Sequence, residues 1–204
     1  MKKPLLLALL AAAVLPGAAR AQWSLGMRLG YAHAAGNAVK GSPMSDGVKS
    51  QVPVQLEGAY RILPHLDVGA YGAYGVAQVG SLCQGSCSAS VLRLGVQAAW
   101  RFAEVKRFTP WAGAGAGYEW SRYKTSEGGD TLEVTLHGLE LLQLQGGADW
   151  KLGERFTVGP FASLAFGRYS KLDVKSPLGD SNGGTPSKTA HAWLTFGVRG
   201  TCSL

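Results

Sequence analysis

Apolar and polar residues alternate along almost the whole chain from Trp23 onward. Trp23, Leu25, Met27, Leu29 and Tyr31 stand on one parity, against Ser24, Gly26, Arg28, Gly30 and Ala32 on the other. Val52, Val54, Leu56, Gly58 and Tyr60 likewise oppose Gln55, Glu57, Ala59 and Arg61, and Leu66, Val68, Ala70, Gly72 and Tyr74 oppose Asp67, Gly69, Tyr71, Ala73 and Gly75. The fourth segment, "VLRLGVQAAWRF" at 91–102, sets Leu92, Leu94, Val96, Ala98 and Trp100 against Arg93, Gly95, Gln97, Ala99 and Arg101. Four more follow: Ala112 to Trp120, Leu142 to Trp150, Val158 to Phe166, and Leu194 to Val198. A period of two predicts strands whose two faces differ in chemistry, so the chain reads as eight such strands.

The connections between these segments alternate in length. Residues 37–50, 77–88, 123–134 and 170–189 are long, polar and rich in Gly, Ser and Asp, whereas the turns near 62–65, 103–108 and 152–156 are short. Short turns at one rim and long loops at the other belong to an up-and-down barrel. The aromatic residues say which face is outside. Trp23, Tyr60, Trp100 and Trp150 gather on the apolar parity near the short-turn end. Tyr31, Tyr74, Tyr118, Trp120 and Phe166 gather near the long-loop end. Trp23 and Tyr31 are eight residues apart, which is ~20 Å along the axis of a tilted strand, close to the apolar band of a membrane barrel with an aromatic girdle at each rim. A soluble core gives no reason to sort Trp and Tyr to two levels. The apolar parity therefore faces lipid, and the expected fold is all-β: an eight-stranded antiparallel up-and-down transmembrane β-barrel.

Composition sharpens this. Charged residues make up only 16% of the chain, too few for an ordinary charged exterior, and the 29 glycines suit a narrow lumen rather than a solvated surface. Residues 1–21 carry Lys2 and Lys3, an apolar stretch at 5–15 and the small-x-small triplet Ala19-Arg20-Ala21. That layout is expected to be a cleaved secretory signal, which leaves 22–204 as one barrel domain. The formal charge of +7 falls to +4 once the three bases of that segment are removed. A charge this mild and dispersed argues against nucleic-acid binding.

On the signal, the strand count, the loop asymmetry and Gly-rich strands such as "PWAGAGAGYEW" and "VGPFASLAFGRY", residues 22–204 resemble the small eight-stranded outer-membrane β-barrel family of Gram-negative bacteria. The resemblance implies a place in the bacterial outer membrane, with long loops extracellular and termini periplasmic. It implies contact with outer-membrane lipid and lipopolysaccharide, insertion by the barrel-assembly machinery, and a monomer. It does not choose among the class's activities, since function resides in sites rather than folds. The leading expectation is a non-enzymatic surface or structural protein. The alternatives are a narrow or lateral, porin-like conduit for small molecules and a lipid-A-modifying enzyme. The family usually ends on an aromatic residue, whereas this chain ends on Leu204.

Candidate chemistry is sparse. Arg28, Arg61, Arg93, Arg101, Lys151 and Arg199 share the inward parity with Glu57, Asp67, Glu119 and Asp149. Ten charges in a narrow lumen are expected to neutralise one another, because unpaired buried charge is costly. For Arg93 and Arg101 the expected partners are Asp67 and Glu119. The glycines of "GAGAG" at 113–117 read as lumen-facing, since strand and not helix pattern follows them. His33, His65, His137 and His191 read as rim residues; no Ser stands beside any of them in an HxS arrangement, so no catalytic set is expected. Cys83 and Cys87 close a tight loop in "CQGSC", while Cys202 belongs to the opposite rim, leaving Cys83–Cys87 as the expected disulfide. No metal or cofactor is expected, for there is no CxxC pair and no HxxxH.

Overall fold

The computed structural model describes residues 22–39, 41–80, 83, 86–127, 130–177, 179–184 and 190–204. The expected signal segment, 1–21, lies outside these. In chain order the elements are β1 (Trp23–Val39), β2 (Ser42–Pro43), one helical turn α1 (Met44–Gly47), β3 (Val48–Leu63), β4 (Leu66–Val79), β5 (Ser86–Arg101), β6 (Phe108–Glu127), β7 (Asp130–Lys151), β8 (Phe156–Ser176), β9 (Gly179–Gly184) and β10 (Ala190–Ser203). The eight long strands form a ring. Each pairs antiparallel with the next, and β10 closes the circle by pairing with both β8 and β1. The short β2 and β9 lie against β1 and β8 outside that ring.

The faces divide as the alternation requires. Leu25, Met27, Leu29, Leu56, Val76, Leu94, Val96, Leu144 and Phe196 are all exposed, whereas Ser24, Arg28, Gln55, Glu57, Arg93, Gln97, Gln143, Asp149 and Arg199 are buried. Greasy residues outside and charged residues inside is the inverse of a soluble protein. It is the arrangement of a barrel whose solvent is lipid. Aromatic pairs mark both rims of the outer face: Trp23 with Tyr60 and Phe108 with Trp150 at the short-turn end, and Tyr118 with Trp120, centroids 4.6 Å apart, toward the other.

The loop end is more ordered than the sequence suggested. The segment 123–134 is no long loop: β6 and β7 remain paired out to Glu127 and Asp130. Most of 170–189 is likewise the β8–β9 hairpin, with Lys171 opposite Gly184. These strands run to 20 residues and more, about twice the length a tilted strand needs to cross a bilayer. The excess extends past Tyr118 and Trp120 as paired ribbons. Residues 41–50 fold back over the barrel mouth, where Met44 and Val48 pack with Trp193 and Tyr169 and α1 is held by the Gly80 amide donating to the Gly47 carbonyl at 3.1 Å. A Cβ on Gly80 would sit 2.1 Å from the Ser45 carbonyl oxygen, so only glycine allows this approach. Cys83 and Cys87 are disulfide-bonded, with Cα atoms 5.9 Å apart, at this end of β5. Cys202 is a free thiol, opposite Leu25 and Phe156 near the other rim.

Candidate functional site

The lumen is crossed by one continuous chain of ion pairs. Starting at the short-turn rim, Arg61 meets Asp67 at 2.9 Å and Asp67 meets Arg101 at 2.5 Å. Arg101 lies 3.9 Å from Asp149, which also takes a bond from Arg199 at 3.2 Å. Arg199 then reaches Glu57 at 2.7 Å, and Glu57 reaches Arg28 at 2.6 Å. The strand register explains why Glu57 is central. Arg28 and Arg199 are direct cross-strand neighbours on β1 and β10, an unfavourable like-charge pair on its own. Glu57, from β3, sits between them, accepting a hydrogen bond from Arg199 and forming an ion pair with Arg28. Gln97 Nε2 adds a further donor at 2.7 Å. Gly26 leaves room for this carboxylate, since a Cβ there would lie 2.7 Å from Glu57 Oε1.

Aromatic rings fill the remaining space at this level. Trp111 donates its indole N–H to Asp149 at 3.1 Å, while the Arg199 guanidinium lies 4.5 Å from the centre of its ring. Arg28 lies 5.2 Å from the rings of both Trp111 and Phe161. Glycines opposite these rings accommodate their bulk, as at Gly147, where a Cβ would fall 2.9 Å from Trp111. The interior is thus a mixture of charge, amide and aromatic groups rather than glycine and alanine with scattered charges.

A second polar group lies nearer the loop end. Tyr71 donates to Glu140 at 2.6 Å, and Arg93 approaches the same carboxylate at 3.5 Å. Glu119 accepts from the Tyr169 hydroxyl and from Trp193 Nε1, the latter at 3.1 Å. His191 Nε2 stands 3.3 Å from Glu119, with its ring stacked on Tyr169 at 4.1 Å. A Cβ on Gly167 would collide with His191, so glycine opens the space the imidazole occupies.

Several expected placements need correction. His191 is only 2% exposed and lies inside the barrel, not at a rim; its odd number on β10 puts it on the inward parity with Thr195 and Arg199. Lys151 does not join the lumen network: its side chain is 48% exposed and pairs with Glu104 at the short-turn rim, because β7 ends there. Arg93 has Glu140 as its ion-pair partner, not Asp67 or Glu119. Arg28, Glu57, Arg61, Asp67, Arg101, Asp149 and Arg199 are brought together, and Glu119 belongs to the separate group. Of the remaining histidines, His137 faces outward and bridges Asp173, at 2.9 Å, and the Tyr118 hydroxyl, at 3.0 Å. His65 lies in the β3–β4 turn against Trp100.

Cavities lie at both ends of the lumen. At the loop end, about 330 Å³ is lined by Met44, Val48, Tyr123, Leu136, Leu172 and Tyr169. Met44 comes from α1, the segment folded across the mouth, while Tyr169 links the cavity to the Glu119 group beneath. At the other end an open basin of about 590 Å³ is lined by Arg61, His65, Arg101, Lys151, Arg155 and Glu104. Among the described residues, no three His, Cys, Asp or Glu side chains gather in a way that could hold a metal ion.

Solved structures with this arrangement are barrels of the bacterial outer membrane. Neisserial surface protein A superposes with a TM-score of 0.54 at 14% identity, covering 92% of this chain and all of that one. The outer membrane protein AlkL, solved in lipid bilayers, gives 0.52 at 15% identity over 93% of this chain and 94% of its own. OprG from Pseudomonas aeruginosa gives 0.50 at 14% identity over 88% and 96%. No protein-family model matches the sequence, and no curated protein sequence does. With its apolar face outward and its charges within, the chain has the fold of the small eight-stranded outer-membrane β-barrel proteins.

Proposed function

We propose that this protein is a non-enzymatic barrel of the outer membrane that works through its loop end and does not conduct ions through its lumen. The carrying observation is the ion-pair chain centred on Glu57. It links side chains of β1, β3, β4, β5, β7 and β10 across the interior, is packed against Trp111 and Phe161, and lies between the loop-end cavity and the basin at the short-turn rim. Eight strands enclose a space that side chains can fill, which supports the same reading. Closure of the ring removes free strand edges, which favours a monomer. The histidine contacts also favour a non-enzymatic role: His191 stands 3.3 Å from Glu119 and stacks on Tyr169, while His137 bonds to Asp173 and the Tyr118 hydroxyl, and neither contact pairs the imidazole with a serine or cysteine that acyl transfer could use.

Purified protein in planar bilayers is expected to give no steady ionic conductance at neutral pH. A stable single-channel current from the wild-type chain would overturn the closed-lumen reading and favour a conduit. One observation does support a second reading, a narrow or lateral passage for small molecules. The loop-end cavity is lined by Met44, Val48, Leu136 and Leu172, and its occupant would be apolar.

In the proposed orientation the loop end faces the cell exterior and the first and last strands meet on the periplasmic side. Protease treatment of intact cells is expected to cut within 178–189, where the sequence is rich in Gly and Ser. Cleavage at 103–108 in intact cells, with the ribbons spared, would reverse that orientation.

A further inference from the structure

On the outer wall of β7 and β8, two strand irregularities fall close together. Between Glu140 and Leu142 the register against β8 slips by one residue, leaving Leu141 without a partner, and between Tyr169 and Lys171 it slips again, leaving Ser170 unpartnered. Bulges re-aim side chains and recur beside functional sites. Here the two extra residues, with Leu139 and Arg168, line a cleft of about 210 Å³ on the lipid-facing wall. Leu139 and Leu141 are each more than half exposed and form its greasy wall. Arg168 stands opposite Leu139 on one side and Ala190 on the other, and so small a neighbour leaves that flank open.

The level of the cleft is equally specific. Arg168 lies two residues beyond the girdle residue Phe166 on the same face, where hydrocarbon gives way to headgroups. Lys171 follows, in register with His137, itself opposite Trp120. The nearby carboxylates are engaged elsewhere, Asp173 with His137 and Glu133 with Arg122. Among the described residues neither Arg168 nor Lys171 has an ion-pair partner. A guanidinium at the polar boundary, a hydroxyl beside it and leucines below match a phosphate carried on acyl chains. The planar guanidinium binds phosphate through paired hydrogen bonds, and the chains can lie along Leu139, Leu141 and Leu144.

We propose that this cleft binds a phosphorylated glycolipid of the outer leaflet, a lipid A molecule, with its phosphate on Arg168 and Lys171 and an acyl chain over Leu139 and Leu141. The inference rests on the outward orientation of the loop end given above, which protease treatment reads independently. Native mass spectrometry of the detergent-extracted full barrel, titrated with bis-phosphorylated lipid A, dephosphorylated lipid A and phosphatidylglycerol, tests it. The wild-type chain is expected to retain one bis-phosphorylated lipid A, with dephosphorylation weakening retention about tenfold or more, the scale of a charge-assisted bond. Arg168→Gln is expected to weaken it comparably, Arg168→Lys to restore most of it, and Lys175→Gln, out on the ribbon, to leave it unchanged. Equal retention of the dephosphorylated lipid or of phosphatidylglycerol, or an Arg168→Gln barrel that binds like wild type, would overturn the site. The lipid comparison uses the unaltered chain, so it decides the matter even if a variant fails to fold.

Discussion

Glu57→Leu is expected to destabilise the folded barrel by about 3–5 kcal/mol, the cost of removing one partner from a buried ion pair. The effect is large because Glu57 serves two cations at once. Its loss leaves Arg28 and Arg199, 2% and 4% exposed, side by side in register without the carboxylate that separates them. Asp149 can still reach Arg199, but Arg28 keeps only its bond to Gln145 and its contacts with aromatic rings. Glu57→Gln keeps an acceptor and the volume while losing the charge, so it should fall between. Urea unfolding in detergent micelles, followed by the mobility difference between folded and boiled protein, measures the shift. A Glu57→Leu barrel within about 1 kcal/mol of wild type, the range of an ordinary surface substitution, would mean that the network contributes little to stability.

Leu94→Arg is expected to cost about 2–4 kcal/mol, the penalty for an arginine on the lipid face near the bilayer middle. Leu94 is 49% exposed on the outer wall and lies six residues from the girdle residue Trp100 along β5. The neighbouring change Arg93→Leu acts through another mechanism: it leaves Glu140 with its tyrosine hydrogen bond but without its cation. Two adjacent positions thus respond oppositely to the same pair of residue types. Leu94→Arg should lower the yield of folding into lipid vesicles, and the deficit should shrink in short-chain detergent, where the long side chain reaches water. Folding into vesicles indifferent to Leu94→Arg would contradict the outward orientation of the leucines.

Much of the barrel could be read from parity alone. The eight strands, their apolar face and the short turns follow from alternation, since a period of two leaves no freedom once one face must meet lipid. The same rule would have placed Trp111 and His191 inside, because both share the parity of buried neighbours. Reading His191 by its nearness to a loop, rather than by its parity, hid it. Glu140 was hidden for a different reason. Its even number matches the outward Leu142 and Leu144, but the bulge at Leu141 inverts the alternation on β7, and that extra residue leaves no mark in composition. The ribbons in which 123–127 pair with 130–134, and 171–176 with 179–184, escaped notice because Gly-, Ser- and Asp-rich stretches signal turns, whereas pairing with an already formed strand overrides weak local preference. The partner of Arg93 depended on which strands face one another across the lumen, and alternation along one strand carries no such information.

The seam between β1 and β10 has a consequence for how the molecule forms. It joins Ser24 to Ser203 and runs through thirteen residue pairs to Gly36 and His191, so its contacts span nearly the whole described chain. Hairpins such as β3–β4 or β6–β7 can assemble from neighbours at small entropic cost, but the seam cannot exist until every intervening strand is in register. Until then the sheet has two raw edges, and Arg199 on β10 has not met Glu57 on β3. Closing the ring therefore makes the last backbone bonds and the Arg199–Glu57 ion pair in one event. Assembly of this barrel is for that reason close to all-or-none: a chain halted before its final strand docks is an open sheet with unneutralised charges, the species most exposed to misassembly and proteolysis.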